Sequence, residues 1–223
     1  MDRRFLRNIP AISEAEQRIL AGKNVAVIGC GGLGGHLIEL MCRMGVGSIR
    51  VADGDVFEQS NLNRQLLSLA GNLGTSKAVA AAERIRAIAP QTAVEAYPVF
   101  LNEENAAEII GGCDAVLDAL DSPQARRILA KACETAGIPY IFGAISGWVA
   151  QAAVSLPGDR LMEKLFPEDT VLGDRSVLSF TPALCAAFQA SLCLKLLVGR
   201  PVEHGQILYA DLMDLEFEII PMI

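Results

Sequence analysis

The sequence predicts an α/β fold, a doubly wound and mostly parallel sheet with antiparallel strands at its C-terminal end. Three observations carry this expectation. Short apolar runs alternate with helical patterns as far as residue 144. A glycine-rich turn, Gly29-Cys30-Gly31-Gly32-Leu33-Gly34-Gly35, joins the first apolar run to the first long helical pattern. The second apolar run ends on an acidic residue, Asp53.

The elements follow in order. Ser13 and Glu16 form a capping box that opens a short helix ending near Leu20. Ahead of it, Arg4-Phe5-Leu6-Arg7-Asn8 reads as an arm with no partner in its own neighbourhood. Residues 25–28 form the first strand. Leu37, Ile38, Leu40, Met41 and Met44 are the apolar positions of the helix after the glycine turn. Residues 49–52 are the second strand, and 60–69 make one or two helical turns. The next helix, 75–88, ends before Pro90, whose ring cannot continue it.

Residues 94–99 read as the third strand, 103–110 as a helix and 115–120 as the fourth strand. Ser122 caps a helix that starts on Pro123 and runs to Ala136. Residues 138–144 complete a βαβαβαβαβ order, whose parallel sheet has a ligand crevice where the strand order reverses. Beyond it, 148–156 reads as an antiparallel strand and 157–180, with Pro157-Gly158, Pro167 and Gly173, as a long exposed connection. A strongly apolar helix, 181–197, stops at Gly199, and strands 206–212 and 215–220 form an edge hairpin. Neither a repeat nor a linker interrupts the chain. It reads as a single domain over 1–223, with 1–22 as arm and first helix and 157–180 lying over the site.

Nineteen basic against twenty-six acidic residues give a net charge of −7, which argues against a nucleic-acid surface. Polar residues interrupt every apolar stretch well before eighteen positions, so no membrane span is expected, and the basic N-terminus lacks a signal core. The six cysteines, at 30, 42, 113, 133, 185 and 193, form no CxxC and read as buried reduced thiols. The expectation is a soluble, cytoplasmic protein.

Gly29, Gly31 and Gly34 satisfy GxGxxG, with Gly32 in the same loop. Such a loop lets backbone approach phosphates, while the helix N-terminus offers them free N–H groups and the positive end of its dipole. Asp53 stands where a ribose contact is expected. Nicotinamide dehydrogenases share this much. The residues that follow narrow it: Asp53-Gly54-Asp55-Val56-Phe57-Glu58-Gln59-Ser60-Asn61-Leu62-Asn63-Arg64-Gln65, and then Lys77 at the start of a helix. No nicotinamide site needs Asn61, Arg64 and Lys77 there, whereas an arginine and a lysine converging on a nucleotide suit a triphosphate under cleavage.

Through this motif the sequence resembles the ThiF/MoeB/HesA adenylyltransferases, relatives of the ubiquitin-activating enzymes, over nearly its whole length and with a Rossmann-like fold. The resemblance implies an enzyme that uses ATP and magnesium. It places the magnesium-binding aspartate at Asp121, and phosphate contacts at Asn61, Arg64 and Lys77. It matches Arg7 to an arginine inserted into the partner's site of a homodimer; otherwise Arg7 is an ordinary terminal charge. The implied substrate is the C-terminal glycine carboxylate of a small ThiS/MoaD-type, ubiquitin-like sulfur-carrier protein ending in Gly-Gly. The alternative is the same chemistry on another carboxylate, such as a peptide, a cofactor-biosynthesis metabolite or a modified tRNA nucleoside. A non-catalytic scaffold is disfavoured by the intact charged set.

Two departures from the family pattern bear on chemistry. The cysteine pairs that hold a structural zinc in many members are missing, so no zinc is expected. Residues 157–180 also lack a cysteine, which leaves no nucleophile for a thioester with the carrier. Among the other polar residues, Asp118 reads as buried or structural and Asp55 has only a turn to offer. His36 reads as a neutral helix-face residue and His204 as a loop residue. Gln65 belongs to the motif without an assigned contact.

Overall fold

The computed structural model describes residues 2–167, 170 and 176–222. Eight strands form one sheet in the order β3-β2-β1-β4-β5-β6-β7-β8. The strands are β1 (Asn24–Ile28), β2 (Ser48–Ala52), β3 (Ala93–Tyr97), β4 (Ala115–Asp118), β5 (Tyr140–Ser146), β6 (Val149–Ser155), β7 (Gln206–Asp211) and β8 (Glu216–Pro221). The first five pair in parallel, and β6, β7 and β8 join antiparallel. The expected class, mixed sheet and terminal hairpin are all present.

The helices are α1 (Glu14–Leu20), α2 (Gly32–Met44), α3 (Lys77–Ile88), α4 (Ala106–Ile110), α5 (Pro123–Ala136), α6 (Leu161–Leu165) and α7 (Phe180–Leu197). They cover both faces of the sheet. One core joins α2, α3 and α7 through Leu37, Ile38, Met41, Ile85, Cys185 and Cys193; the other joins α4, α5 and α6 through Ile109, Leu129, Leu161 and Phe142. Strands buried on both faces need continuous apolar runs, which explains why β1 is buried from Val25 to Ile28. Each fully buried Leu, Ile or Met of α2 contributes about 1.5–3 kcal/mol over exposure.

By length and hydropathy α7 would suit a bilayer, with 18 residues of mean hydropathy 1.5. Its surroundings are protein instead: Cys185, Ala186, Gln189, Ala190 and Cys193 are buried, and the helix lies between α2 and strands β5 and β6. A helix apolar on all sides is what such a central position requires.

The N-terminal segment corrects an expectation. Arg3–Asn8 is a 3-10 helix docked on its own chain, not an arm without local partners. Asn8 Nδ2 donates to Gln17 Oε1 at 2.7 Å, Gln17 donates to the Met44 carbonyl at 2.8 Å, and the Phe5 ring lies against Gly45. Phe5 supplies the apolar anchor for this docking. The 157–180 connection is likewise less open than expected, because α6 lies within it and buries Leu161 and Met162. The remainder of that connection, at 168, 169 and 171–175, lies outside the described residues.

Candidate functional site

The strand order reverses between β1 and β4, and the C-terminal ends of those two strands open onto a crevice of about 590 Å³. Its lining includes Gly29, Gly31 and Gly32 from the glycine turn, Asp53 and Asp55 after β2, Arg64, Gln65 and Lys77. Asp121 after β4, Arg126 on α5, Ser146 of β5 and Gln151 of β6 add to the polar lining. Apolar walls come from Val99, Phe100, Leu101, Ile145, Val149 and Phe166.

The glycine turn owes its shape to close approach. Gly29 has φ +97°, and a Cβ there would fall 2.9 Å from the Ala119 carbonyl carbon. A Cβ on Gly34 would strike the Gly29 carbonyl, so Gly34 sets how closely α2 packs on β1. Gly34 therefore serves packing and does not line the crevice. No side chain caps the N-terminus of α2, whose N-cap is Gly31. Its first N–H groups remain free to meet an anion from the crevice. A Cβ on Gly31 would approach the Gln65 side chain at 3.5 Å, and one on Gly32 would approach Arg64 Cγ at 3.5 Å.

Asp53 Oδ2 accepts from the Cys30 N–H at 2.7 Å and Oδ1 from the Asp55 N–H at 2.8 Å. Burial raises its pKa above the ordinary value, and the two backbone donors partly offset that. Each oxygen keeps acceptor capacity for a hydroxyl pair. Lys77 opens α3, is almost fully buried, and sets Nζ 3.0 Å from Asp55 Oδ2. Asp55 thus has a partner that its turn position alone did not announce. Arg64 is half-buried, and its Nη1 donates at 2.9 Å to the Ser60 carbonyl and to Asn63 Oδ1. Asp121 is exposed on the rim, with no hydrogen bond or ion pair among the described residues.

Three expected site residues stand apart from this group. Gly34 was treated above. Asn61 is buried away from the crevice lining, and its Oδ1 accepts from the Glu58 N–H at 3.0 Å. It shapes the 3-10 turn Gln59–Asn61 that presents Arg64. Arg7 is exposed on the N-terminal 3-10 helix and does not line the crevice.

The structure places Gln65, which the motif left without a contact, and adds Arg126, which the sequence reading passed over. Gln65 is buried with Oε1 lacking a partner, an acceptor left open beside the glycine turn. Arg126 is buried, bonded to Asp118 at 2.8 Å, and lines the crevice. Its position four residues into α5 resembles any helix-surface arginine, so only the ion pair with a strand-end aspartate could have signalled it. Burial lowers the pKa of His36, keeping the ring neutral at neutral pH as expected. His204 is an exposed loop residue beside Asp159.

The arrangement fits a nucleoside triphosphate. It offers a glycine cradle that side chains would fill, a carboxylate with spare acceptors, three cations (Arg64, Lys77 and the Asp118-paired Arg126), and a rim carboxylate without a partner among the described residues. Comparisons with known proteins agree. The ThiF family profile matches residues 4–222. The chain is 35% identical to the SAMP-activating enzyme E1 of Haloferax volcanii, covering 93% of this chain and 79% of that one. It is 34% identical to the sulfur carrier protein adenylyltransferase of Thermus thermophilus, covering 94% and 82%. The crystal structure of E. coli MccB with ATP superposes with a TM-score of 0.85 at 19% identity, covering 100% of this chain and 71% of that one, a likeness of fold.

Proposed function

This chain belongs to the ThiF family, and we propose that it is an adenylyltransferase acting on a ubiquitin-like sulfur-carrier protein. The observation that carries the reading is the convergence of the glycine turn, Asp53, Arg64, Lys77 and Asp121 on one crevice. The names of the H. volcanii and T. thermophilus relatives support the carrier as substrate class.

In the proposed reaction a carboxylate oxygen of the carrier's C-terminal glycine attacks the α-phosphorus of ATP. The bond from that phosphorus to the bridging oxygen breaks, and pyrophosphate leaves with the electron pair. The carboxylate is already ionised at neutral pH, so no general base is needed. What opposes the reaction is repulsion between two anions, and the chain supplies alignment and countercharge. The free N–H groups of α2 and the glycine turn take phosphate oxygens, Asp53 takes the ribose hydroxyls, and Arg64 and Lys77 stabilise charge passing to pyrophosphate. Asp121 would hold magnesium, which when bound supplies further charge neutralisation on the phosphates. One carboxylate plus phosphate oxygens suits that ion, and a free rim carboxylate fits the role.

The same reading makes the active unit a cytoplasmic homodimer in which Arg7 reaches the partner's crevice. Its exposure and its absence from the crevice lining of its own chain are consistent with action in trans. The catalytic span is one domain covering residues 1–223, with the carrier's tail under the 157–180 connection.

The test is product analysis. Incubation with ATP, magnesium and a Gly-Gly-ended carrier is expected to give carrier bearing one adenylate at its C-terminal carboxylate. Adenylation of unrelated peptides but not of the carrier would move the function to another carboxylate. For the dimer, mixing Arg7→Ala with Asp121→Ala chains, each inactive alone, is expected to restore activity after subunit exchange. A mixture that stays inactive after exchange would mean that Arg7 acts within its own chain or does not act at all.

A further inference from the structure

Among the described residues Asp121 has no side-chain partner, so its position on the crevice rim is set by the backbone on either side. The residue before it is held at both peptide groups. The Leu120 N–H donates to Asp118 Oδ1 at 2.8 Å, and the Leu120 carbonyl accepts from Arg126 Nη2. The residue after it, Ser122, caps α5 by accepting from the Ala125 N–H. Arg126 is itself fixed. Its Nη1 donates to Asp118 Oδ2 and to the Gly143 carbonyl, both at 2.8 Å. Its guanidinium lies 5.1 Å from the Phe142 ring centroid and 5.5 Å from that of Phe166. Asp118, fully buried, also accepts from Tyr140 Oη at 2.5 Å, and its carbonyl accepts from Gln189 Nε2 at 2.9 Å.

We propose that Arg126 is the positioning residue for Asp121, tying the 119–121 turn to the end of β4 and to Gly143 within β5 so that the Asp121 carboxylate is presented at the crevice. This rests on the adenylylation reading above. A buried ion pair is weak ground for stability, because desolvation offsets much of the attraction. What this guanidinium supplies is a planar fork joining one carboxylate to the Leu120 carbonyl of the turn and the Gly143 carbonyl of β5, while facing two aromatic rings. A lysine ammonium cannot reproduce that geometry. Loss of such support to a metal-binding group typically costs about 10–100-fold in metal affinity or activity.

The test compares Arg126→Lys with Asp121→Ala. For each, ATP binding is measured by calorimetry with and without magnesium, alongside pyrophosphate exchange. Arg126→Lys is expected to lose the gain in affinity that magnesium brings, by about 10–100-fold, with a smaller effect on magnesium-free ATP binding. Combined with Asp121→Ala it adds no further loss, because both changes remove the same interaction. Should Arg126→Lys fail to fold, Asp118→Asn with Arg126→Gln removes both buried charges and is expected to show the same selective loss. Equal loss with and without magnesium, or losses that add, would overturn the proposal. So would wild-type ATP affinity indifferent to magnesium. Magnesium-promoted ATP binding without pyrophosphate exchange would contradict the reaction and leave the positioning role standing.

Discussion

Lys77 holds its ammonium 3.0 Å from a carboxylate oxygen of Asp55, and its backbone N–H donates to the Asp55 carbonyl, also at 3.0 Å. The first residue of α3 is thereby tied to the turn that carries Asp53, two positions earlier. The ammonium is 8% exposed while the carboxylate is 55% exposed. Removing the exposed partner would leave a buried ammonium without its countercharge.

Asp55→Asn is therefore expected to cost more than the ~1 kcal/mol typical of exposed pairs, because the buried Lys77 ammonium loses its countercharge. Lys77→Ala is expected to slow adenylyl transfer by on the order of 10²–10³, the usual cost of removing a pre-organised donor. Denaturant titration and single-turnover kinetics read the two effects separately. A rate loss in Asp55→Asn equal to that of Lys77→Ala would give Asp55 a chemical role of its own.

Asp53 and Arg64 are expected to divide along a different line. Asp53→Ala removes acceptors for the ribose and weakens nucleotide binding more than it slows chemistry. Arg64→Ala slows chemistry by on the order of 10²–10³ with a smaller effect on adenosine affinity. Measured Kd and kcat for both variants decide it; identical profiles would dissolve the proposed division.

Much of this was legible before any coordinates. The glycine turn, the acid after β2 and the cap before α5 are local features, each with a physical cause confined to a few residues, and their structural placement followed. What escaped was set by tertiary contact. Phe5 docks the N-terminal segment because α2 ends on Gly45, forty residues later in the chain. The Asp118–Arg126–Tyr140 cluster joins β4, α5 and β5, and Gln189 of α7 completes it. Nothing in the spacing of those residues announces that they meet. Nor does the motif announce that Asn61 Oδ1 accepts from the Glu58 N–H.

The thiols are expected to be inert in the native protein. All six cysteines are free and buried. Burial pushes Cys185 and Cys193 up to about 12 and Cys42 up to about 11, and raises Cys30, Cys113 and Cys133 as well. Thiolate is the reacting form, so alkylation at neutral pH should be negligible until the protein unfolds. Mass spectrometry after incubation with carrier and ATP should likewise show no thiol-sensitive adduct. A carrier thioester on Cys185 would contradict this.

Acid should loosen the N-terminal helix first. Glu16 is held down to about 2 by Arg200 and by the Ser13 cap, against an ordinary value of 4.5. A carboxylate depressed in the folded state contributes stability above 4.5, and that contribution is lost as pH falls from 4.5 toward 2. Glu16→Gln should thus be less stable than wild type at neutral pH, with the gap closing across that window. A gap that is constant with pH would mean that the ion pair with Arg200 does not form in solution.

The central claim is that this crevice transfers adenylate from ATP to a carrier's terminal carboxylate. Isotope exchange between ATP and pyrophosphate measures it most directly, with wild type and Asp121→Ala assayed with intact carrier and with carrier whose C-terminal carboxylate is amidated. Exchange is expected only with wild type, magnesium and the intact carboxylate, and Asp121→Ala should fold normally yet exchange nothing. Exchange that persists with amidated carrier, or that survives undiminished in Asp121→Ala, would contradict it.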